Sequence, residues 1–160
     1  MEKNDFEKAI SLAYFYLKFR ARTVREMERY LEQRAQKYRF SPEVIPRVLQ
    51  ELINQKYLDD AKFVKMYVHD RMKFKPRSVF LLKKELAKLG ISSSLLESFF
   101  EESPVDDLTA AVLLLKKKIL SFSRLAPRDR FAKSVRYLQS RGFTYGESKD
   151  AIKSLENGNG

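Results

Sequence analysis

Two pairs of adjacent carboxylates, Asp59-Asp60 and Asp106-Asp107, are the side chains in this sequence closest in type to a metal-dependent phosphodiesterase site. Such a site needs several convergent acids and a basic or electrophilic partner. Each pair instead stands directly before an apolar-periodic stretch, where aspartate caps a helix and meets its positive dipole end. The pairs therefore predict helix starts. His69 is the single histidine, set between Val68 and Asp70 on a predicted helix with no nucleophile motif beside it. It reads as a surface residue. There is no cysteine, so thiolate catalysis, disulfides and cysteine metal sites are excluded together. Gly90, Gly142 and Gly146 are isolated turn residues and form no phosphate loop. Neither an enzyme nor a metal or cofactor is expected.

The second kind of chemistry is cationic. Lys18-Phe19-Arg20-Ala21-Arg22-Thr23 returns as Lys73-Phe74-Lys75-Pro76-Arg77-Ser78, and a looser version runs from Phe122-Ser123-Arg124 to Pro127-Arg128-Asp129. Net charge is +11, and it is concentrated. Residues 62–88 hold nine Lys or Arg against two acids, and residues 116–141 hold nine against one. Cations spaced along a ridge suit a phosphate backbone, and they suit an acidic protein groove equally. The candidate contact residues are Lys18, Arg20 and Arg22; Lys73, Lys75, Arg77, Lys83, Lys84 and Lys88; and Lys116, Lys117, Arg128, Arg130, Lys133 and Arg136. Phe19, Phe74 and Phe122 lie among them. Stacking on unpaired bases is one use for such rings, but their recurrence at helix ends reads as an apolar plug between helices.

The elements that must position these residues are helices. Turn residues are sparse, with five Gly and five Pro, and Lys, Glu and Leu recur throughout. Each basic phrase joins a helix A to a helix B, with Thr23 or Ser78 as N-cap, and a helix C follows. In the first copy Asp5 is expected to cap helix A, with Ile10, Ala13, Tyr14 and Leu17 inward. Thr23-Val24-Arg25-Glu26 is a capping box before Val24, Met27, Leu31 and Ala35. Ser41-Pro42-Glu43 opens helix C, or Pro46 does after a separate turn, because a proline deep in a helix loses a hydrogen bond. Ile45, Val48, Leu49 and Leu52 face in.

The second copy is expected to bury Ala61, Val64, Val68 and Met72, then Val79, Leu82, Leu86 and Leu89 up to Gly90. Ser94 caps a third helix burying Leu95, Leu96, Phe99 and Phe100. In the third copy Phe131, Val135 and Leu138 point inward before Gly142, and Thr144-Tyr145-Gly146-Glu147 is a capping box before Ile152 and Leu155. Self-similarity at about 50 residues is the mark of a repeat protein. The predicted fold is all-α: three tandem three-helix repeats forming an elongated curved array, with boundaries 1–56, 57–103 and 104–156 and a disordered tail at 157–160.

Tyr57-Leu58-Asp59-Asp60-Ala61-Lys62-Phe63 and Glu85-Leu86-Ala87-Lys88-Leu89-Gly90-Ile91 resemble the central motif of the RecX family, regulators of the RecA recombinase. Tyr16-Leu17, Arg20-Ala21-Arg22-Thr23 and Glu26-Met27 fit its opening repeat, and the resemblance spans residues 9–155. Two features depart from it. The family's middle A–B junction usually bears glycine where this chain has Lys73-Phe74-Lys75-Pro76-Arg77, and the first B–C turn is four residues longer near Ala35–Arg39. The resemblance implies a monomer that binds the RecA–DNA filament, contacts single- and double-stranded DNA, and restrains ATP hydrolysis, strand exchange and co-protease function. The alternative is a non-specific DNA-binding protein with no recombinase partner. The opening residues Met1-Glu2-Lys3-Asn4-Asp5 lack a signal-peptide pattern, and the longest apolar run, Ala110 to Leu115, is too short to span a membrane. A soluble cytoplasmic protein is expected.

Overall fold

The computed structural model describes residues 1–158. They form nine α-helices and no strand: α1 Glu2–Leu17, α2 Val24–Tyr38, α3 Ile45–Asn54, α4 Asp60–Phe74, α5 Val79–Lys88, α6 Ser93–Glu102, α7 Asp107–Phe122, α8 Pro127–Ser140 and α9 Tyr145–Gly158. The helices fall into three consecutive groups of three, so the chain is an all-α repeat protein. Helix α9 includes Asn157 and Gly158, part of the stretch expected to be a disordered tail; positions 159 and 160 lie outside the described residues.

By contacts the chain divides into two compact units. The first comprises Met1–Lys65 with Leu86–Leu96. Its core is Ala9 and Ala13 from α1, Met27, Leu31 and Ala35 from α2, and Val48, Leu49 and Leu52 from α3, closed by Phe40, Val44, Ile45 and Leu58. Asp5 does not cap α1, which begins at Glu2; its carboxylate accepts the Ser41 N–H at 3.1 Å and ties α1 to the B–C turn. A single 3₁₀ turn, Pro42–Val44, precedes α3, so Pro46 sits in the first helical turn, where no backbone bond is lost.

The N-terminus of α2 is a joint between repeats. Thr23 Oγ1 accepts the Glu26 N–H at 3.1 Å while Glu26 accepts the Thr23 N–H at 3.0 Å, which completes the capping box. The same hydroxyl donates to Leu89 O at 2.5 Å, and Asp60 Oδ1 accepts the Val24 N–H at 2.9 Å. Gly90 closes α5 with φ of +89°, its N–H reaching Ala87 O and the Ile91 N–H reaching Leu86 O. This is the paired-bond C-terminal motif that glycine favours. A Cβ on Gly90 would lie 2.3 Å from Arg25 Cβ, so only a hydrogen fits.

The second unit comprises Met66–Glu85 and the chain from Glu97 on. Ala110, Ala111, Leu114 and Leu115 from α7, Val135 and Leu138 from α8, Phe143, and Ala151 and Ile152 from α9 make its main core. The joint recurs here. Ser78 Oγ accepts the Leu81 N–H at 3.1 Å, the Ser78 N–H donates to Arg141 O at 3.1 Å, and Asp107 Oδ1 accepts the Val79 N–H at 2.9 Å. Gly142, at φ +91°, presses so close that a Cβ would lie 2.3 Å from Ser78 Oγ and 2.7 Å from Leu81 Cβ.

Four expectations are corrected. Ala61 is exposed and Phe63 is buried, because α4 is rotated to aim Phe63 and Val64 inward. Ser92 rather than Ser94 caps α6, accepting the Leu95 N–H at 3.3 Å. Phe131 is exposed and Ser134 takes the buried place on α8. Phe19 and Phe74 are not plugs: they are 68% and 64% exposed, and only Phe122, at 8%, is internal.

Candidate partner-binding surface

The four carboxylates of the Asp-Asp pairs divide their work identically in both copies. The first of each pair caps its own helix: Asp59 Oδ1 accepts the Lys62 N–H at 3.1 Å, and Asp106 Oδ1 accepts the Leu108 N–H at 3.1 Å. The second reaches back to cap helix B of the preceding repeat, as described for Asp60 and Asp107. Burial pushes both Asp60 and Asp107 above the usual carboxylate range, against the bonds from Val24 and Val79. The exposed Asp106 lies below that range, chiefly because the Thr109 hydroxyl donates to it. Among the described residues no group of three or more His, Cys, Asp or Glu is placed to hold a metal. His69 is exposed on α4.

The cations of the repeated phrase do not share one fate. In both copies the arginine before the N-cap is internal. Arg22 lies over the Tyr16 ring at 3.8 Å, and Tyr16 stacks on Tyr30 with centroids 4.0 Å apart. Arg77 is 8% exposed, pairs with Glu85, and donates through Nε to Lys75 O at 3.1 Å. Glu85 also accepts the Tyr67 hydroxyl at 2.8 Å, so Arg77 is a part of the packing between α4 and α5. Burial raises the Tyr67 phenol above its ordinary value.

The remaining cations differ between the copies. Arg20 is held by Glu26 at 2.5 Å, and Lys18 is an exposed charge of the first phrase that makes no ion pair among the described residues. Lys73 and Lys75 are exposed, and among the described residues no ion pair engages either. Lys117, on α7, donates to Phe74 O at 3.4 Å and so brings the third basic block against the second. Lys84, Lys116, Arg128, Arg130, Lys133 and Arg136 are exposed, and Lys83 is half-buried over the Phe100 ring at 5.5 Å. All of these belong to the second compact unit; Lys88, also exposed, belongs to the first. Lys118 and Arg141 flank the Tyr137 ring at 5.4 and 5.6 Å and were absent from the candidate set, although the count for residues 116–141 includes both.

Fold and surface define a class: an all-helical repeat protein with capped inter-repeat joints and acid-poor cationic blocks at residues 62–88 and 116–141. Residues 59–98 match the model of the second three-helix domain of RecX, and residues 105–152 match that of the third, together more than half of the chain. The chain belongs to the RecX family. It is 29% identical over 154 residues to a protein of Streptococcus sanguinis named regulatory protein RecX, and 27% identical over 156 residues to one of Oceanobacillus iheyensis with the same name. These alignments cover 95% and 97% of this chain but 57% and 56% of the relatives, so it spans little more than half their length. The crystal structure of RecX from Lactobacillus salivarius superposes with a TM-score of 0.76 at 23% identity, covering 96% of this chain and 98% of that one. A second RecX crystal structure gives 0.71 at 18% identity, covering 98% and 73%. No helix of the described residues is long and apolar enough to cross a membrane.

Proposed function

We propose that this chain is a regulator of the RecA recombinase, binding the RecA–DNA filament and restraining ATP hydrolysis, strand exchange and co-protease activity. The observation that carries the reading is membership of the RecX family, whose curated relatives are named regulatory proteins. The exposed lysines and arginines of the second compact unit support it, because a filament of nucleic acid and protein presents phosphates and acidic grooves to such charges. The contact set is Lys18, Lys73, Lys75, Lys83, Lys84, Lys88, Lys116, Lys117, Arg128, Arg130, Lys133 and Arg136. Arg22 and Arg77 act from inside the fold, and Arg20 acts through Glu26. The chain works as a cytoplasmic monomer lying along the filament groove and touching neighbouring protomers, with repeats at 1–56, 57–103 and 104–156.

The test is DNA-dependent ATP hydrolysis by RecA while this protein is titrated below one copy per protomer. Inhibition at that ratio, absent with an equally basic control protein, is expected. The charge reversal K73E/K75E should raise the concentration needed by about tenfold or more. Arg77 is left out of that variant because its reversal would break an internal ion pair. Inhibition only at saturating coverage of the DNA would favour the second reading, a non-specific DNA-binding protein, which the two acid-poor cationic blocks also fit.

A further inference from the structure

A phenylalanine that is 64% exposed in the middle of a cationic strip demands an account. Phe74 ends α4, and between Arg71 and Lys84 the chain has six Lys or Arg and no acid. Lys73 Nζ stands over the Phe74 ring at 5.3 Å, Lys75 follows it exposed, and Lys117 Nζ is held at the Phe74 carbonyl, 3.4 Å away. Pro76 and Arg77, the next residues, turn inward. The Phe74 ring is an exposed aromatic face with the Lys73 ammonium over it, the Lys117 ammonium at its backbone carbonyl and exposed Lys75 next in the chain.

From this arrangement we infer that Phe74 is a stacking platform for an unpaired nucleobase, with Lys73, Lys75 and Lys117 on the flanking phosphates. It deepens the function proposed above, resting on that reading for the place of the strand in a RecA filament. Every base has a π face, so stacking on an aromatic ring accepts any sequence, while lysines follow the backbone. A protein partner would ask for a contiguous apolar surface around the ring, whereas one ammonium group stands over it and a second is held at its carbonyl. In a duplex each base is already stacked on its neighbours and must first be pulled out, at a cost of a few kcal/mol. The ring therefore makes the surface prefer single strands, which charge alone does not.

Phe19 holds the equivalent place in the first phrase and serves as the internal contrast. It is as exposed, but it packs edge-on against Phe15 at 5.3 Å, and its neighbour Arg20 is engaged by Glu26. The first phrase thus offers a ring with fewer available cations.

The test is fluorescence anisotropy of the full chain with a labelled thymidine oligomer of about 20 nucleotides and with a duplex of equal length. F74A should weaken single-strand binding at least about fivefold and leave duplex binding within about twofold, and F74W should restore it. F19A should have the smaller effect. The assignment is overturned if F74A changes both ligands equally or neither. It is also overturned if F74A weakens only binding to assembled RecA filaments, which would mark the ring as a protein contact. Because no recombinase is needed for the anisotropy measurement, loss of this inference and loss of the regulatory reading are separate results.

Discussion

The two inter-repeat joints are the same device built from different atoms. At α2 the Thr23 side chain does double duty, accepting from Glu26 and donating across to Leu89 O. At α5 the Ser78 side chain only caps its own helix, and the backbone N–H makes the cross-repeat bond to Arg141 O. Asp60 and Asp107 then occupy the same position, each on the first N–H of helix B. What this teaches is that the repeat fixes a geometry, helix B of one repeat butting its N-terminus against the glycine turn of the next, and lets the donor vary. The surface cations follow a different rule. Glu26 holds Arg20 in the first phrase, while Lys73 and Lys75 in the second have no acid drawn to them among the described residues. A shared joint is compatible with one quiet and one charged surface.

The glycines give the largest expected effect. At G90A the new methyl group meets Arg25 Cβ at 2.3 Å, at G142A it meets Ser78 Oγ at 2.3 Å and Leu81 Cβ at 2.7 Å, and at both the positive φ is strained for alanine. Each should lose about 2–4 kcal/mol in urea unfolding. If the joints are equivalent, the two losses agree. A loss confined to one of them would show that only that joint is close-packed in solution.

A middle-sized effect separates the atoms used. T23V removes both a cap and the bond to Leu89 O, leaving that carbonyl unpaired, and should cost about 2 kcal/mol. S78A removes only the cap and should cost about 1 kcal/mol, because its cross-repeat bond is made by the backbone. Equal costs measured by denaturation would erase the distinction between the joints.

The smallest effect is in pH. Asp60 and Asp107 are both raised, first by burial, so the folded state keeps its protons to higher pH than the unfolded chain does. Folded-state protons in excess mean stability that declines as pH rises from the usual aspartate range to the raised values. Replacing both by asparagine keeps an acceptor oxygen and removes the titration. Wild-type stability should therefore fall relative to D60N/D107N as pH rises from about 4. Parallel curves would show that neither carboxylate carries a desolvation penalty at its joint.

Much of the fold was legible because it rests on local chemistry. Thr23 with Glu26 and Thr144 with Glu147 are capping boxes in the structure as in the sequence, and Gly90 and Gly142 end their helices with positive φ. These signals act within a few residues, so the sequence displays both partners at once. The misplaced cap of α6 and the shifted inward face of α4 belong to the same local level, where neighbouring serines or apolar residues compete for one role.

The order of helices, their caps, the repeat period and the excess of cations were thus determined by the sequence alone, because backbone hydrogen bonding and charge composition are properties of short stretches. Only the tertiary structure decided which cations and rings are outside. Arg22 and Arg77 look like Lys18 and Lys75 in the sequence, and Phe74 looks like Phe122. Their burial depends on Tyr16, Glu85 or the α7–α8 packing, groups that reach them through the fold. It also decided that Asp60 and Asp107 cap a helix begun 36 and 28 residues earlier, a contact between repeats that no local pattern encodes.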